Sequence, residues 1–491
     1  MLCVTGTEGT LEALRRRLKR DAELAKHQAV DVPLEEIRLD HLVAIDDDTF
    51  AWLASVASER TLVATCRPVR QGGAFRGSEP ERLALLRRAS ASELAMVDVE
   101  ADVDDAFLGE LGRTAAVRRG KVKRMLSWHE HSGFPKGCGE RLRDMARRDV
   151  DLVKLAVTVS DASELDALDA CRARTSKPCV LVAMGTAGVL TRTHYPAFGS
   201  PFSYVASQAD LASAPGQLTL EQALALGLPR SSTAPLFGLV GGAQVQHSPG
   251  PRLINRLFRR RGMASSYIPI VTSSLRATLP LLERLDARGL AVTMPLKREA
   301  LEVARPDPLA REVGAANSLR RREGWEATNT DVTGVRAPLE KALARLDARC
   351  ARILGAGGAA RAAAAACRSL GLTVEVAARR LDEAEAVASG RGRALAWSER
   401  TRGPELARSV LINATPLTGH ASPWPDEAPL DVAAVFDTAL GSMRSSLLVR
   451  AEASGAQVLG PMDMWLAQAA EQLSYFLDAR VTVDELEDLA R

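Results

Sequence analysis

Short apolar runs, each long enough for one strand, recur eight times in the first part of the chain. They are LCVTG (2–6), EEIRLDHL (35–42), TLVATCR (61–67), AMVDVEA (95–101), VKRMLSWH (122–129), DLVKLAVT (151–158), PCVLVAMG (178–185) and PFSYVAS (201–207). Most are separated by segments such as TLEALRRRL, EPERLALLRR and DASELDALDACRA, in which apolar residues return with helical spacing. Short apolar runs alternating with 3.6-residue periodicity predict parallel α/β structure. Eight such units in succession predict a (β/α)8 barrel.

After PGQLTLEQALALGLPRSSTAP (215–235) the pattern changes, and the proline- and serine-rich tail of that stretch reads as a linker. There follow a strand LFGLVG, a helix in PRLINRLFRRRG, a strand SYIPIV and a helix in TLPLLERLDARG. Farther on, RCARILGAGGAARAAAAACRSLG (349–371) has the order strand, glycine-rich turn, helix, which aims backbone N–H groups and a helix N-terminus at a pyrophosphate. GAGGAA alone also suits a tight connection. The next strand, TVEVAARR (373–380), ends in Arg379 and Arg380 where an acidic residue would select NAD, and two guanidiniums there suit a 2′-phosphate. The expected cofactor is therefore NADP.

Side chains on a barrel strand alternate between the interior and the surrounding helices. In EEIRLD, Glu36, Arg38 and Asp40 share one face, and Arg67, His129 and Lys154 also lie toward the ends of their strands. Charges from four strands thus converge on the C-terminal mouth, where barrel active sites lie. Lys154 stands inside an apolar strand of a chain with nine lysines among 64 basic residues, and lysine is rarely buried without a partner or a task. Desolvation favours its neutral amine, which can attack a ketone to form an imine, with His129 placed to take a proton from the neighbouring carbon. The rival for WHEH (128–131) is a metal site at His129 and His131, but no further ligand-spaced cluster accompanies it, and no metal is expected. Arg38, Arg67 and Arg192 offer fork geometry for a carboxylate. In the second half, Lys297 of GLAVTMPLK and Asp331 of TNTDVTGV could move a proton at a carbonyl while a nicotinamide moves a hydride. An ordinary surface ion pair is the alternative.

Composition narrows the functional classes. A chain of 491 residues with 46% hydrophobic content should hold about two to four domains. Net charge is only +3 and the arginine runs (15–17, 259–261, 320–322) are scattered, which argues against a nucleic-acid stripe. Seven cysteines without zinc spacing suit reduced thiols, and neither a long apolar span nor a signal-like start is present. A soluble cytoplasmic protein acting on small molecules is expected, with no membrane partner.

These residues carry two resemblances. The first half resembles type I 3-dehydroquinate dehydratase through EIRLD, TCRPVRQGG, SWHEHSGFP, DLVKLAV, MGTAGVLTR and SAPGQ, in that family's order. The resemblance implies that Lys154 forms a Schiff base with the C3 ketone and that His129 removes a C2 proton and assists loss of the C1 hydroxyl. It also implies that Glu36, Arg38, Arg67, Arg192, Ser213 and Gln217 hold the substrate, the last three nearest its carboxylate. The family usually has glutamate where this chain has Gln71, and a neutral amide there would orient the His129 ring without stabilising its charge.

From about residue 236 to 491 the chain resembles shikimate dehydrogenase, through HSPGP, VTMPLK, GAANSL, NTDVTG, GAGGAAR, NATPL and MWLAQAAEQ. By that resemblance Lys297 and Asp331 are the catalytic pair, and Ser248, Thr293, Asn317 and Gln468 contact substrate. Gly355, Ala356, Gly357, Gly358, Ala359, Arg379 and Arg380 would bind NADP, with Asn413 and Thr415 on a cofactor-side loop. Departures from the family stand at Gly250, Ala291, Leu440 and GPMDM (460–464).

The implied architecture is a barrel over 1–229, a substrate domain over 236–336, a Rossmann-type NADP domain over 337–458, and C-terminal helices over 459–491 that return to the substrate domain. The implied activity is dehydration of 3-dehydroquinate to 3-dehydroshikimate, then NADPH-dependent reduction to shikimate. A second half that prefers quinate or another ring hydroxy acid is an alternative, and so is a regulatory homologue that binds without turnover.

Overall fold

A computed structural model describes residues 1–30, 34–388, 392–403, 405–440 and 443–490. Packing divides the chain into two compact units, Met1–Ala287 and Arg288–Arg491. The first opens with eight strands: β1 Leu2–Thr5, β2 Leu34–Arg38, β3 Leu62–Thr65, β4 Met96–Glu100, β5 Lys123–Glu130, β6 Leu152–Thr158, β7 Cys179–Met184 and β8 Ser203–Ala206. They bond in parallel in the order β7-β6-β5-β4-β3-β2-β1-β8, an almost closed barrel as the alternating pattern predicts.

The barrel interior is layered. Cys3, Leu34, Val63, Met96, Met125, Leu152, Val180 and Phe202 pack together as an apolar floor. Two residues farther along each strand come Thr5, Glu36, Thr65, Asp98, Ser127, Lys154, Val182 and Tyr204, all buried. This second layer is polar at every strand but β7, where Val182 stands, so its charges must be paired to be tolerated. β2 ends four residues earlier than expected, at Arg38, because Asp40 turns back in the short 3-10 helix Leu39–His41. Its carboxylate accepts from Arg38 Nε at 2.9 Å, Arg38 Nη2 at 2.7 Å and the Ala74 N–H at 3.0 Å. Asp40 therefore anchors Arg38 and does not continue the inward row.

Beyond the barrel, still in the first unit, β9 (Leu236–Gly241) and β10 (Ser266–Val271) pair in parallel and are joined by the helix Gly250–Arg260. The helix Leu275–Arg284 follows. Asp161, in the turn after β6, accepts from Thr272 Oγ1 at 2.7 Å and from the Ser273 N–H at 2.6 Å, and so clasps this segment to the barrel. Arg284 adds an ion pair to Asp166 at 2.5 Å. Burial alone would raise the Asp161 carboxyl, but the bonds from Ser163, Thr272 and Ser273 outweigh it and bring the pKa to about 2.

The second unit begins with a mixed ribbon. β11 (Ala287–Val292) runs antiparallel to β13 (Ser318–Arg321), β13 antiparallel to β14 (Trp325–Thr328), and β14 parallel to β12 (Arg305–Pro306). Then come β15 Cys350–Leu354, β16 Thr373–Ala378, β17 Arg393–Ala396, β18 Ser409–Asn413, β19 Ala434–Asp437 and β20 Gln457–Leu459. They form an all-parallel sheet in the order β17-β16-β15-β18-β19-β20, the doubly wound dinucleotide-binding topology. The helix after β15, Gly358–Ser369, buries Ala360 and Ala362 to Ala366, and these small side chains let it lie close on the sheet. The late helix Pro461–Leu477 packs along the helix Asp331–Leu343. A Cβ on Gly334 would lie 2.9 Å from the Gln468 Cβ at that crossing, so the position needs glycine. No helix among the described residues is long and apolar enough to cross a membrane.

Candidate active sites

The barrel mouth gathers all of its expected site residues. Glu36, Arg38, Arg67, His129, Lys154, Arg192, Ser213 and Gln217 line one cleft of about 490 Å³, with Gln71 beside them. Lys154 sits third in β6, paired in register with Ser127 and Val180, and is 4% exposed. Its Nζ lies 3.3 Å from Asp98 Oδ2 and 4.0 Å from the centre of the Tyr204 ring. Burial lowers the Lys154 pKa; Asp98 opposes the shift, Arg67 adds to it, and the net direction is down. The amine is thus easier to neutralise than an ordinary lysine.

Arg67 organises the neighbouring histidine. Its Nη2 bonds Asp98 Oδ2 at 2.7 Å, its Nε lies 3.4 Å from Glu100 Oε1, and its Nη1 is 2.8 Å from His129 Nε2. A guanidinium can only donate, so His129 Nε2 accepts and the ring proton rests on Nδ1, which has no partner among the described residues. Burial, then the charges of Arg67 and Lys154, push His129 well below its usual pKa. It is held as a neutral base. Glu36 accepts from Thr65 Oγ1 at 2.8 Å and from Thr5 Oγ1; burial would raise its carboxyl, but Lys154, Arg38 and Arg67 together bring it below the usual range.

Arg192 contrasts with the other two arginines. It is 2% exposed and, among the described residues, donates only to the Pro215 carbonyl at 3.3 Å and leaves Nε without a partner. No carboxylate among the described residues pairs with it, and burial draws its pKa down to about 10. Ser213 and Gln217, which line the same side, bond each other through the Ser213 N–H and Gln217 Oε1 at 2.9 Å. A buried unpaired cation beside two polar groups suits an anionic substrate group.

Gln71 departs from expectation. Its Oε1 accepts the main-chain N–H of His129 at 3.2 Å, so it steadies the strand and not the ring. A carboxylate at this position would still add negative charge near His129 and offset part of the effect of Arg67 and Lys154. Gln71→Glu should therefore raise the His129 pKa and move the acidic limb of the dehydratase pH profile upward by about 0.5 to 1 unit. An unmoved limb would show that the charge does not reach the ring.

In the second unit, Lys297 follows β11 and Asp331 opens the helix Asp331–Leu343. Lys297 Nζ contacts Asp331 Oδ2 directly, while Asn317 Nδ2 donates to Asp331 Oδ1 at 2.7 Å. Asn317 Oδ1 accepts from the Thr330 N–H at 2.8 Å, so the amide is held in place beside the aspartate with one Nδ2 hydrogen still to donate. The glutamine that reaches this cluster is Gln472, whose Nε2 donates to Ser318 Oγ at 2.7 Å and to the Asn317 carbonyl at 3.1 Å. Gln468 lies one turn earlier on the same helix, half-buried against Gly334. Thr293 follows β11 directly, half-buried. In the first unit, Ser248 Oγ accepts from the Gly250 N–H at 3.2 Å.

Beside this pair runs a long cleft lined by Gly355, Ala356, Gly357, Gly358, Ala359, Arg379, Arg380 and Thr415. Gly355 has φ +113°, and a Cβ there would stand 2.8 Å from the Ala414 carbonyl oxygen, so only glycine fits. Gly357 caps the following helix, whose first N–H groups are free to bond an anion. A Cβ on Gly358 would lie 3.8 Å from Lys297 Cδ, which puts the lysine stem against the glycine loop. The residues fit a dinucleotide phosphate. Asn413 does not face the cleft. It is fully buried and holds the loop, accepting from the Thr415 N–H at 3.0 Å and donating to the Leu417 carbonyl at 3.0 Å and Asp437 at 2.9 Å.

Sequence reasoning passed over Asp98, Glu100 and Tyr204. The cue for the acids was parity in MVDVE, where Met96, Asp98 and Glu100 share a face. Among the described residues no cluster of three or more His, Cys, Asp or Glu could hold a metal ion, and all seven cysteines are free and buried.

Comparison with known proteins agrees with both halves. The family profile described as type I 3-dehydroquinase matches residues 13–226, and that of the shikimate dehydrogenase substrate binding domain matches 240–319. A bifunctional 3-dehydroquinate dehydratase/shikimate dehydrogenase, chloroplastic, of Arabidopsis thaliana is 28% identical over 92% of this chain and 79% of its own length. A shikimate dehydrogenase (NADP(+)) of Anaeromyxobacter dehalogenans is 37% identical over 48% of this chain and 88% of its own. Among solved structures, the dehydroquinate dehydratase and shikimate dehydrogenase part of S. pombe AroM aligns over 100% of this chain and 98% of its own, with 20% identity and a TM-score of 0.43. With its barrel matched by one profile and its following module by the other, the chain belongs to the bifunctional type I 3-dehydroquinate dehydratase/shikimate dehydrogenase family.

Proposed function

We propose that the chain dehydrates 3-dehydroquinate in its barrel and reduces the resulting 3-dehydroshikimate to shikimate, with NADPH, in its second half. The observation that carries the reading is Lys154: a buried amine with a depressed pKa, beside a neutral histidine and opposite an unpaired buried arginine. Lys154 attacks the C3 ketone and water leaves as the imine forms. His129 Nε2, released by Arg67 as the substrate enters, then takes the C2 proton and returns a proton to the departing C1 hydroxyl, and hydrolysis of the imine frees Lys154. Arg192, with Ser213 and Gln217, holds the carboxylate, while Glu36, Arg38 and Arg67 face the ring hydroxyls.

In the second half, NADPH would supply the hydride. Lys297, in contact with Asp331, delivers a proton to the forming alkoxide, and Asn317 keeps Asp331 oriented. Ser248, Thr293, Asn317 and Gln468 contact the ring, Gly355 to Ala359 approach the pyrophosphate, and Arg379 faces the 2′-phosphate with Arg380, paired to Glu383, beside it. The division into barrel (1–229), substrate domain (236–336), NADP domain (337–458) and returning C-terminal helices (459–491) belongs to this proposal. So does a cytoplasmic location, which seven free buried thiols support.

The test is two absorbance assays on the whole chain: enone formation from 3-dehydroquinate alone, then loss of NADPH once the nucleotide is added. Enone without NADPH loss would leave the barrel reading standing and remove the reductase; absence of enone would remove the barrel reading, and NADPH loss on 3-dehydroshikimate added directly would then decide the reductase.

A further inference from the structure

The adenosine end of the cofactor cleft contains more than the glycine loop and a basic pair. β16 and β17 run side by side with Ala378 in register with Ala396. The next residue on each strand is therefore Arg379 on one and Trp397 on the other, at the same level at the end of the sheet, and both line the cleft. Trp397 is half-buried in a short 3-10 turn. The Arg400 guanidinium lies 4.5 Å above the centre of its ring and is itself tied to the Trp397 and Pro423 carbonyls, each at 2.7 Å. One face of the indole is thus covered and braced from behind, which leaves the opposite face or its edge for the cleft.

The two arginines after β16 are not equivalent. Arg380 is in direct ion-pair contact with Glu383, three residues on, and Glu383 lines the same cleft. No carboxylate among the described residues pairs with Arg379. Two guanidiniums seen in the sequence therefore act as one net charge, and the carboxylate that neutralises the second stands where it would repel an added dianion.

We infer that adenosine 2′-phosphate recognition rests on Arg379 and Trp397 alone, with Glu383 withholding Arg380 and setting an upper limit on the NADPH-over-NADH preference. This rests on the reading of the cleft as an NADP site. Trp397 presents a flat apolar face to the adenine, Arg379 forms the charge-assisted bonds to the 2′-phosphate, and Arg380 contributes little while Glu383 is present.

The test is direct binding to the full chain of NADPH, NADH, AMP and adenosine 2′,5′-bisphosphate, by calorimetry. Arg379→Ala should weaken NADPH and the bisphosphate by roughly thirtyfold and leave NADH and AMP within about threefold. Arg380→Ala should stay within about threefold for all four, because an exposed guanidinium already paired has little to lose. Glu383→Gln should tighten NADPH and the bisphosphate about three- to tenfold without changing NADH. Trp397→Ala should weaken all four ligands about tenfold, whereas Trp397→Phe, which keeps a flat ring, should recover most of that loss. Equal losses for Arg379→Ala and Arg380→Ala, or no tightening with Glu383→Gln, would overturn the division of roles. Unchanged binding with Trp397→Ala would overturn the adenine platform. A chain that binds neither NADPH nor NADH would overturn the cofactor reading itself, whereas NADPH binding with the wrong variant pattern would overturn this inference only.

Discussion

Replacing Lys154 by alanine is expected to lower the turnover of 3-dehydroquinate by at least roughly ten-thousandfold, the scale seen when an enzyme loses its covalent nucleophile. The NADPH-dependent reduction should persist, because Lys297 and Asp331 belong to the other compact unit. Borohydride added with 3-dehydroquinate should fix the imine and add a ligand-sized mass to the peptide that contains Lys154. Labelling at another lysine, with Lys154 unmodified, would sink the assignment. The pH dependence has a definite sign. Imine formation needs the neutral amine, and burial depresses the Lys154 pKa from its ordinary value near 10.5. The rate should therefore reach its plateau at lower pH than an exposed lysine would allow, and His129, also depressed, should keep its basic form well below neutrality.

The second large effect is expected at the other pair. Lys297→Met or Asp331→Asn should each reduce the reduction rate by about a hundred- to ten-thousandfold, the usual worth of a positioned acid or base. Dehydration in the barrel should continue. Asp331→Asn retains the size of the side chain, and NADPH binding should hardly change, so the loss should fall on kcat more than on nucleotide affinity. A variant that loses NADPH binding in proportion to its rate would point to a collapsed cleft. The double variant should be no worse than the poorer single one, because Lys297 and Asp331 are in contact and act as a unit.

Much of the fold was readable in the spacing of apolar runs, because a barrel strand must be short and apolar and its helix must be amphipathic. Lys154 stood out by parity, since an inward lysine breaks the rule for buried positions. Asp98 obeys the same parity, yet one acid in a strand does not say which cations it will meet; its bonds to Arg67 and Lys154 span 31 and 56 residues of chain. Gln472 follows Gln468 by four residues on the same helix, and its bond to Ser318 joins groups 154 residues apart in the chain. Gln71 was near the right place but its amide found the strand of His129 and left the ring to Arg67. Asn413 could be placed on the loop after β18, while its role as a brace for that loop depends on Asp437 from the neighbouring strand.

The Asp161 clasp bears on how such a fusion can be taken apart. The obvious cut lies at the proline- and serine-rich stretch before β9, yet Thr272 and Ser273, well downstream of it, are bonded to the turn that closes the Lys154 strand. A barrel freed at that point would carry a charged carboxylate stripped of two donors next to its own nucleophile strand, and the released reductase would begin with the complementary scar. Gene dissection of this enzyme, or the grafting of either half onto a foreign partner, is therefore safest when Asp161 is exchanged for a residue content with water. Because that carboxyl titrates at about 2, against an ordinary aspartate near 3.9, its share of the adhesion is whole above pH 4 and fades only as the solution falls toward pH 2.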